Sequence, residues 1–162
     1  MQQRDHVHNL PLYGYSAQSF TLLGSATLHQ WRREAKETRL QVEACLVITD
    51  KYDAILLKQR ERTLQGWALA QTGQEEAGIA LIRRGLDAYR AQGATLTCPY
   101  MLAMLAESYG QSGNIDDGLD AITEALELVY AYSEYWWEAD LYRMQAELRL
   151  QRDKKALLAD LV

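Results

Sequence analysis

The stretch Gly66-Trp67-Ala68-Leu69-Ala70-Gln71-Thr72-Gly73-Gln74-Glu75-Glu76-Ala77-Gly78-Ile79 returns further along the chain as Ala106-Glu107-Ser108-Tyr109-Gly110-Gln111-Ser112-Gly113-Asn114-Ile115-Asp116-Asp117-Gly118-Leu119. Gly66 to Ala106, Gly73 to Gly113 and Gly78 to Gly118 are each 40 residues apart. In both copies a helical pattern runs into a glycine, which closes a helix by taking the left-handed conformation that a side chain disfavours, and a second helical pattern follows. A fixed step of this length marks a stacked helical array in which each unit buries its apolar face against a neighbour.

Working outward, helical spacing recurs on both sides of the repeat. A first helix starts near Tyr15 or Ser16 and carries Leu22, Leu23, Ala26 and His29 to near Trp31; a second runs from about Arg33 to Thr49. The third spans about Ala54 to Thr72, and the fourth opens at Gln74 with Ile79, Ile82, Leu86 and Tyr89 as its apolar stripe. Pro99 sets the start of the fifth, with Cys98 at the cap, because proline suits the first turn of a helix. Asn114 opens the sixth, and Ser133 caps a seventh that carries Trp136, Trp137, Leu141, Tyr142 and Leu148 to about Arg152. The organisation expected is an irregular lead-in over 1–14, a helical repeat domain over 15–153 and a short amphipathic helix over 154–162.

The chain of 162 residues is 48% hydrophobic and 24% charged, which suits one globular domain with its own core. Two prolines and one phenylalanine beside ten tyrosines fit long helices with short turns, and no β-branched alternation supports strands. A formal net charge of -5 argues against a nucleic-acid partner, since phosphate neutralisation calls for a basic face. No apolar run is long enough for a membrane span, the first residues lack the apolar core of a signal peptide, and Cys45 and Cys98 make no disulfide framework. The chain reads as cytoplasmic.

A small residue in the first helix of each pair (Gly66, Ala106), Leu69 or Tyr109 three further on and a closing glycine (Gly73, Gly113) resemble the tetratricopeptide repeat. The second helices add small slots at Gly78 and Gly118, then at Gly85 and Ala125, where two helices cross closely. Stepping back by 40 puts Ala26 in the first small slot, His29 in the aromatic one, Arg33 in the closing-glycine one and Cys45 in the last small one; stepping forward gives Ala146. The resemblance implies an all-α, right-handed superhelix of three helical pairs and the first helix of a fourth. More narrowly, Leu28-His29-Gln30-Trp31-Arg32-Arg33-Glu34, Gly66-Trp67-Ala68-Leu69-Ala70, Leu105-Ala106-Glu107-Ser108-Tyr109 and Trp136-Trp137-Glu138-Ala139-Asp140-Leu141-Tyr142-Arg143 look like the C-terminal repeats of bacterial regulators. Such regulators carry a predicted AAA/STAND ATPase, often with a nucleotide cyclase domain. Neither a phosphate-binding glycine loop nor a cyclase metal pair occurs here, so those activities do not transfer.

By this resemblance the concave face of the first helices holds Trp31, Arg60, Thr63, Trp67, Gln71, Tyr100, Glu107, Gln111, Arg143 and Glu147. Aromatics and arginines in a groove are the usual anchors of a protein or peptide partner, although Trp31 and Trp67 could equally be packing residues and the charges merely solvated. The alternative is a small-ligand sensor in which Arg60 and Arg143 anchor an anion between Trp31, Trp67 and Tyr100. At the far end, Trp136 and Trp137 with Leu157, Leu158, Leu161 and Val162 form a surface that either caps the array or joins a second copy as a homodimer. No cofactor and no catalysis are expected: Asp5, His6 and His8 are too few for a metal site, His29 reads as a packed core residue, Cys45 as an inert buried thiol, and Cys98 lacks a neighbouring base. The paired carboxylates Glu75-Glu76 and Asp116-Asp117 are explained by their place at helix starts.

Overall fold

A computed structural model describes the backbone of residues 10–160 and the side chains of residues 15–160. Among the described residues seven helices follow one another as antiparallel hairpins: α1 (Leu10–Trp31), α2 (Ala35–Lys51), α3 (Ile55–Ala70), α4 (Glu75–Arg90), α5 (Cys98–Ser112), α6 (Ile115–Tyr132) and α7 (Glu138–Ala159). A single 3₁₀ turn, Tyr135–Trp137, precedes α7, and there is no strand among the described residues. The pairs α1/α2, α3/α4 and α5/α6 form hairpins, and α7 packs on α6.

The turns explain why the step is 40. Arg33, Gly73 and Gly113 all have positive φ (64°, 85° and 79°), and so do Asp53, Gly93 and Ser133 (51°, 74° and 57°). Each trio keeps the repeat spacing, so Arg33 does occupy the closing-glycine position. Behind five of these residues the next backbone N–H donates to a carbonyl five residues earlier: Glu34 to His29, Ala54 to Thr49, Gln74 to Leu69, Asn114 to Tyr109 and Glu134 to Val129, at 2.9–3.1 Å. This Schellman closure satisfies carbonyls that a helix end would otherwise leave without partners.

The small slots are crossing points. A methyl group on Gly66 would stand 2.6 Å from the Gly78 carbonyl oxygen, so the α3/α4 pair closes until backbone meets backbone. Ala26, Ala106, Ala125 and Cys45 are fully buried in the equivalent slots, while Ala146 on α7, with no helix behind it, is exposed. One core runs through the hairpins, from Leu23, Val42 and Cys45 by way of Leu64, Ile82, Leu102 and Met104 to Ile122, Val129 and Leu141.

Four expectations are corrected. α1 starts at Leu10 rather than near Tyr15, because Pro11 sits in its first turn, where a missing N–H costs nothing, and Gly14 is carried inside the helix. α7 continues to Ala159, so Leu157 and Leu158 lie on its last turns and not on a separate short helix. Ser133 closes α6 instead of opening α7, which places Trp136 and Trp137 in the 3₁₀ turn. His29 is partly exposed and pairs through Nδ1 with Glu34 at 2.6 Å, holding that carboxyl below the usual carboxylate range, rather than packing in the core.

Candidate functional site

On the first-helix side lies a cleft of about 480 Å³. The end of α1 and the turn behind it supply Gln30, Trp31 and Arg33; α5 supplies Tyr100, Ala103, Met104 and Glu107; the 3₁₀ turn supplies Trp136 and Trp137; α7 supplies Ala139, Asp140, Arg143 and Met144. A smaller hollow of about 200 Å³ continues from it along α5 and α7, sharing Arg33, Glu107 and Met144 and adding Gln111, Glu147 and Gln151. Together they form a groove with an aromatic end and a charged end.

At the aromatic end four rings pack as one cluster. Trp137 lies 5.7 Å from Trp31, 4.9 Å from Tyr100 and 5.1 Å from Trp136, centroid to centroid. Tyr100 is buried beneath, its hydroxyl donating to Gln30 Oε1 at 2.7 Å; burial pushes the phenol pKa up, against the opposing pull of Arg60. Trp31 and Trp136 remain 47% and 53% exposed, so two indole faces stand open at the mouth. Trp136 is aimed by Glu134, whose carboxylate accepts its Nε1–H at 2.9 Å and also the Thr97 N–H that opens α5 at 3.0 Å.

At the charged end the partners are already matched. Glu107 accepts from Trp67 Nε1 at 3.1 Å and from Gln71 Nε2 at 3.0 Å, and it pairs with Arg33. Arg143 is held by Asp140 and by Glu147, each at 2.6 Å. The groove therefore offers aromatic faces and a balanced set of internal ion pairs, with both of its arginines engaged.

Of the residues expected on this face, Trp31, Tyr100, Glu107 and Arg143 line the cleft, and Gln111 and Glu147 its continuation. Trp136 and Trp137, expected at the end surface with Leu157 and Leu158, line the cleft instead, because they sit in the 3₁₀ turn before α7 while the leucines lie on its last turns. Gln71 reaches the cleft through Glu107. Three do not. Trp67 is fully buried under the groove, and only its indole N–H communicates with it. Thr63 is buried against Gly85 of α4, with its hydroxyl spent on the Gln59 and Arg60 carbonyls of its own helix. Arg60 lies near Tyr100 but off the cleft lining. The proposed anion anchor of Arg60 and Arg143 between Trp31, Trp67 and Tyr100 is thus not assembled. Gln30, Arg33, Met104 and Asp140 were missed; the signal for Arg33 was its place in the closing-glycine slot, the left-handed turn that ends α1, from which its guanidinium pairs with Glu107 of α5.

At the other end surface, Leu157 and Leu158 are exposed, while Leu161 and Val162 lie outside the described residues. No group of three or more His, Cys, Asp or Glu side chains among the described residues could hold a metal ion, and no described helix is long and apolar enough to cross a membrane; Asp5, His6 and His8 lie outside the described residues.

No family model matches the chain, and no solved structure matches it. An uncharacterized protein of Rhizobium meliloti (strain 1021) is 33% identical over 98 residues, which is 59% of this chain and 10% of that protein. The chain thus spans about a tenth of the length of the relative it matches.

Proposed function

We propose that the protein is a non-catalytic, tetratricopeptide-like binding module that holds a segment of a protein or peptide partner along the groove between α1, α5 and α7. One observation carries this reading: Trp31 and Trp136 stand half exposed over a buried aromatic floor, beside charges that are already paired. Such a surface takes an apolar or aromatic side chain between the rings, and the continuation past Glu107 and Gln111 gives the following backbone somewhere to run. Aromatic anchors in desolvated pockets carry most of the energy of protein recognition, whereas exposed, internally satisfied ion pairs carry little.

A random peptide library selected on the whole chain tests it. Enriched peptides share an aromatic or large aliphatic residue, and both Trp31→Ala and Trp136→Ala weaken them about tenfold or more, as loss of an aromatic anchor does. Arg84→Ala, on the outer side of α4, leaves them unchanged. Failure to enrich any sequence, or peptides indifferent to both tryptophans, overturns the reading.

The same reading includes self-association through the end of α7, where Leu150, Leu157 and Leu158 are all more than half exposed. Light scattering across a concentration series, on the full chain and on one ending at Arg152, decides it. A dimer that the truncation turns into a soluble monomer supports the proposal; a monomer that the truncation makes aggregate assigns the tail to capping instead.

A further inference from the structure

Away from the groove, where α1, α2 and α3 meet, a carboxyl group is fully buried. Glu61 of α3 has no exposed surface, and its two oxygens face α2: Oε1 lies 3.0 Å from Cys45 Sγ and Oε2 2.8 Å from Thr49 Oγ1. The thiol also reaches the Ser19 carbonyl of α1 at 3.2 Å, so one side chain of α3 is tied to both helices of the first hairpin. The charged groups acting on Glu61 are Asp50 of α2, which disfavours its ionisation, and Lys58 of its own helix, which favours it. Lys58 is already engaged by Asp50 at 3.1 Å and Asp53 at 3.5 Å.

The hydrogen-bond inventory closes with Glu61 as the neutral acid. In that form its O–H donates to Thr49 Oγ1 across the same 2.8 Å over which the Thr49 hydroxyl donates to a carboxylate, and the Thr49 proton goes to the Cys45 or Leu46 carbonyl, both at 3.3 Å. The thiol proton is then free for Oε1 or for Ser19. A carboxylate in this place would be a buried charge held only by a hydroxyl and a weak thiol donor, which low dielectric penalises heavily. Burial accordingly raises the Glu61 pKa, and it raises the Cys45 thiol to about 12, so the thiol stays protonated throughout.

We infer that Glu61 is a proton-operated latch: neutral, it bolts α3 to α2 and, through Cys45, to α1, and on losing its proton it frees the first hairpin. The far end of that hairpin supplies Gln30, Trp31 and Arg33 to the cleft, so the latch controls whether the cleft is complete. The inference rests on where those residues sit and not on what occupies the groove, so it stands or falls separately from the binding proposal.

The sign follows from linkage. A buried acid that keeps its proton when the opened chain has lost it stabilises the closed form less and less as pH rises from the ordinary value of 4.5 towards its own raised one. Amide hydrogen exchange, corrected for intrinsic rates, reads this on wild type and Glu61→Gln between pH 5 and 8. Protection of α1 and α2 in the wild type falls about tenfold per pH unit until the Glu61 pKa is passed, while α5 and α6 change little. In Glu61→Gln, whose amide mimics the neutral acid, the fall disappears. The same pH profile in both proteins, or lower protection in Glu61→Gln at every pH, overturns the latch, the latter because it would show the carboxylate to be the form held. Should Glu61→Gln fail to fold, an NMR titration of the Glu61 carboxyl carbon in the wild type decides: a midpoint above 4.5 supports the latch, and one at or below 4.5 overturns it.

Discussion

Trp67 and Glu107 occupy the same position of the repeat, 40 residues apart, and the indole N–H of the first donates to the carboxylate of the second at 3.1 Å. Equivalent positions on successive first helices thus touch each other, which joins neighbouring hairpins through one carboxylate that also takes Gln71 and Arg33.

Glu107→Ala leaves a buried indole N–H, an amide and a guanidinium without their acceptor. The expected loss of unfolding free energy in urea is about 2–4 kcal/mol, against about 1–2 kcal/mol for Glu107→Gln, which can still accept from Trp67. A loss under about 0.5 kcal/mol in Glu107→Ala would show that water replaces the carboxylate at little cost.

Gly66 and Gly24 make an internal control for close helix crossing. A methyl at Gly66 meets the Gly78 carbonyl at 2.6 Å, whereas one at Gly24, on the exposed side of α1, meets nothing within 4 Å. Gly66→Ala is expected to destabilise by about 1–3 kcal/mol or more, and Gly24→Ala to stabilise by about 0.5–1 kcal/mol through helix propensity. Thermal unfolding of the two variants side by side gives shifts of opposite sign; equal shifts would refute the crossing geometry.

The left-handed turn residues predict a second pair of opposite effects. Ser133 holds φ 57° at a place where the equivalent Gly93 needs no strain, so Ser133→Gly should raise stability by about 0.5–1 kcal/mol, after the entropy cost of glycine is subtracted. Gly113→Ala, at φ 79°, should lower it by about 1–2 kcal/mol. Arg33→Gly gains the same backbone relief and loses the Glu107 ion pair, so its net change falls below that of Ser133→Gly. Chemical denaturation ranks the three.

Cys45 and Cys98 are both buried, with thiol pKa values raised chiefly by burial. At pH 8 a thiol of pKa about 12 is about one part in ten thousand thiolate, and only the thiolate attacks a disulfide reagent. Cys45 for this reason, and Cys98 because it is buried with its thiol pKa raised by burial, should not react with an aromatic disulfide within minutes in the folded chain, and both should react at once in concentrated urea. Prompt labelling of the native protein would show that one of these helix contacts opens readily.

The helices, their order and the glycine turns were legible in the 40-residue step, because glycine spacing and apolar periodicity are local properties of the chain; the Ser133 turn, without a glycine to mark it, was not. Arg33 was legible without one: a register position reserved for left-handed backbone can show itself even when its occupant is not glycine. The groove was only half legible. Trp31, Tyr100, Glu107 and Arg143 lie there as expected, but Thr63 and Trp67 sit on the same helix face by spacing and are buried by different neighbours.

What the sequence by itself determined was the unit: two helices, a left-handed turn, a small residue at the crossing, and the repetition of all three. What only the tertiary structure decided was which face of each first helix stayed open, where α7 ended, and that Glu61 met Cys45 and Thr49. The reason is geometric. Periodicity says which residues share a face of one helix, whereas an inner helix of an array packs on its own hairpin partner and on the units before and after it. The face left for a ligand, or closed over a carboxyl, follows from how those packings turn the helix about its axis, and that rotation is a property of neighbours up to 70 residues away, as the bond from Tyr100 to Gln30 shows.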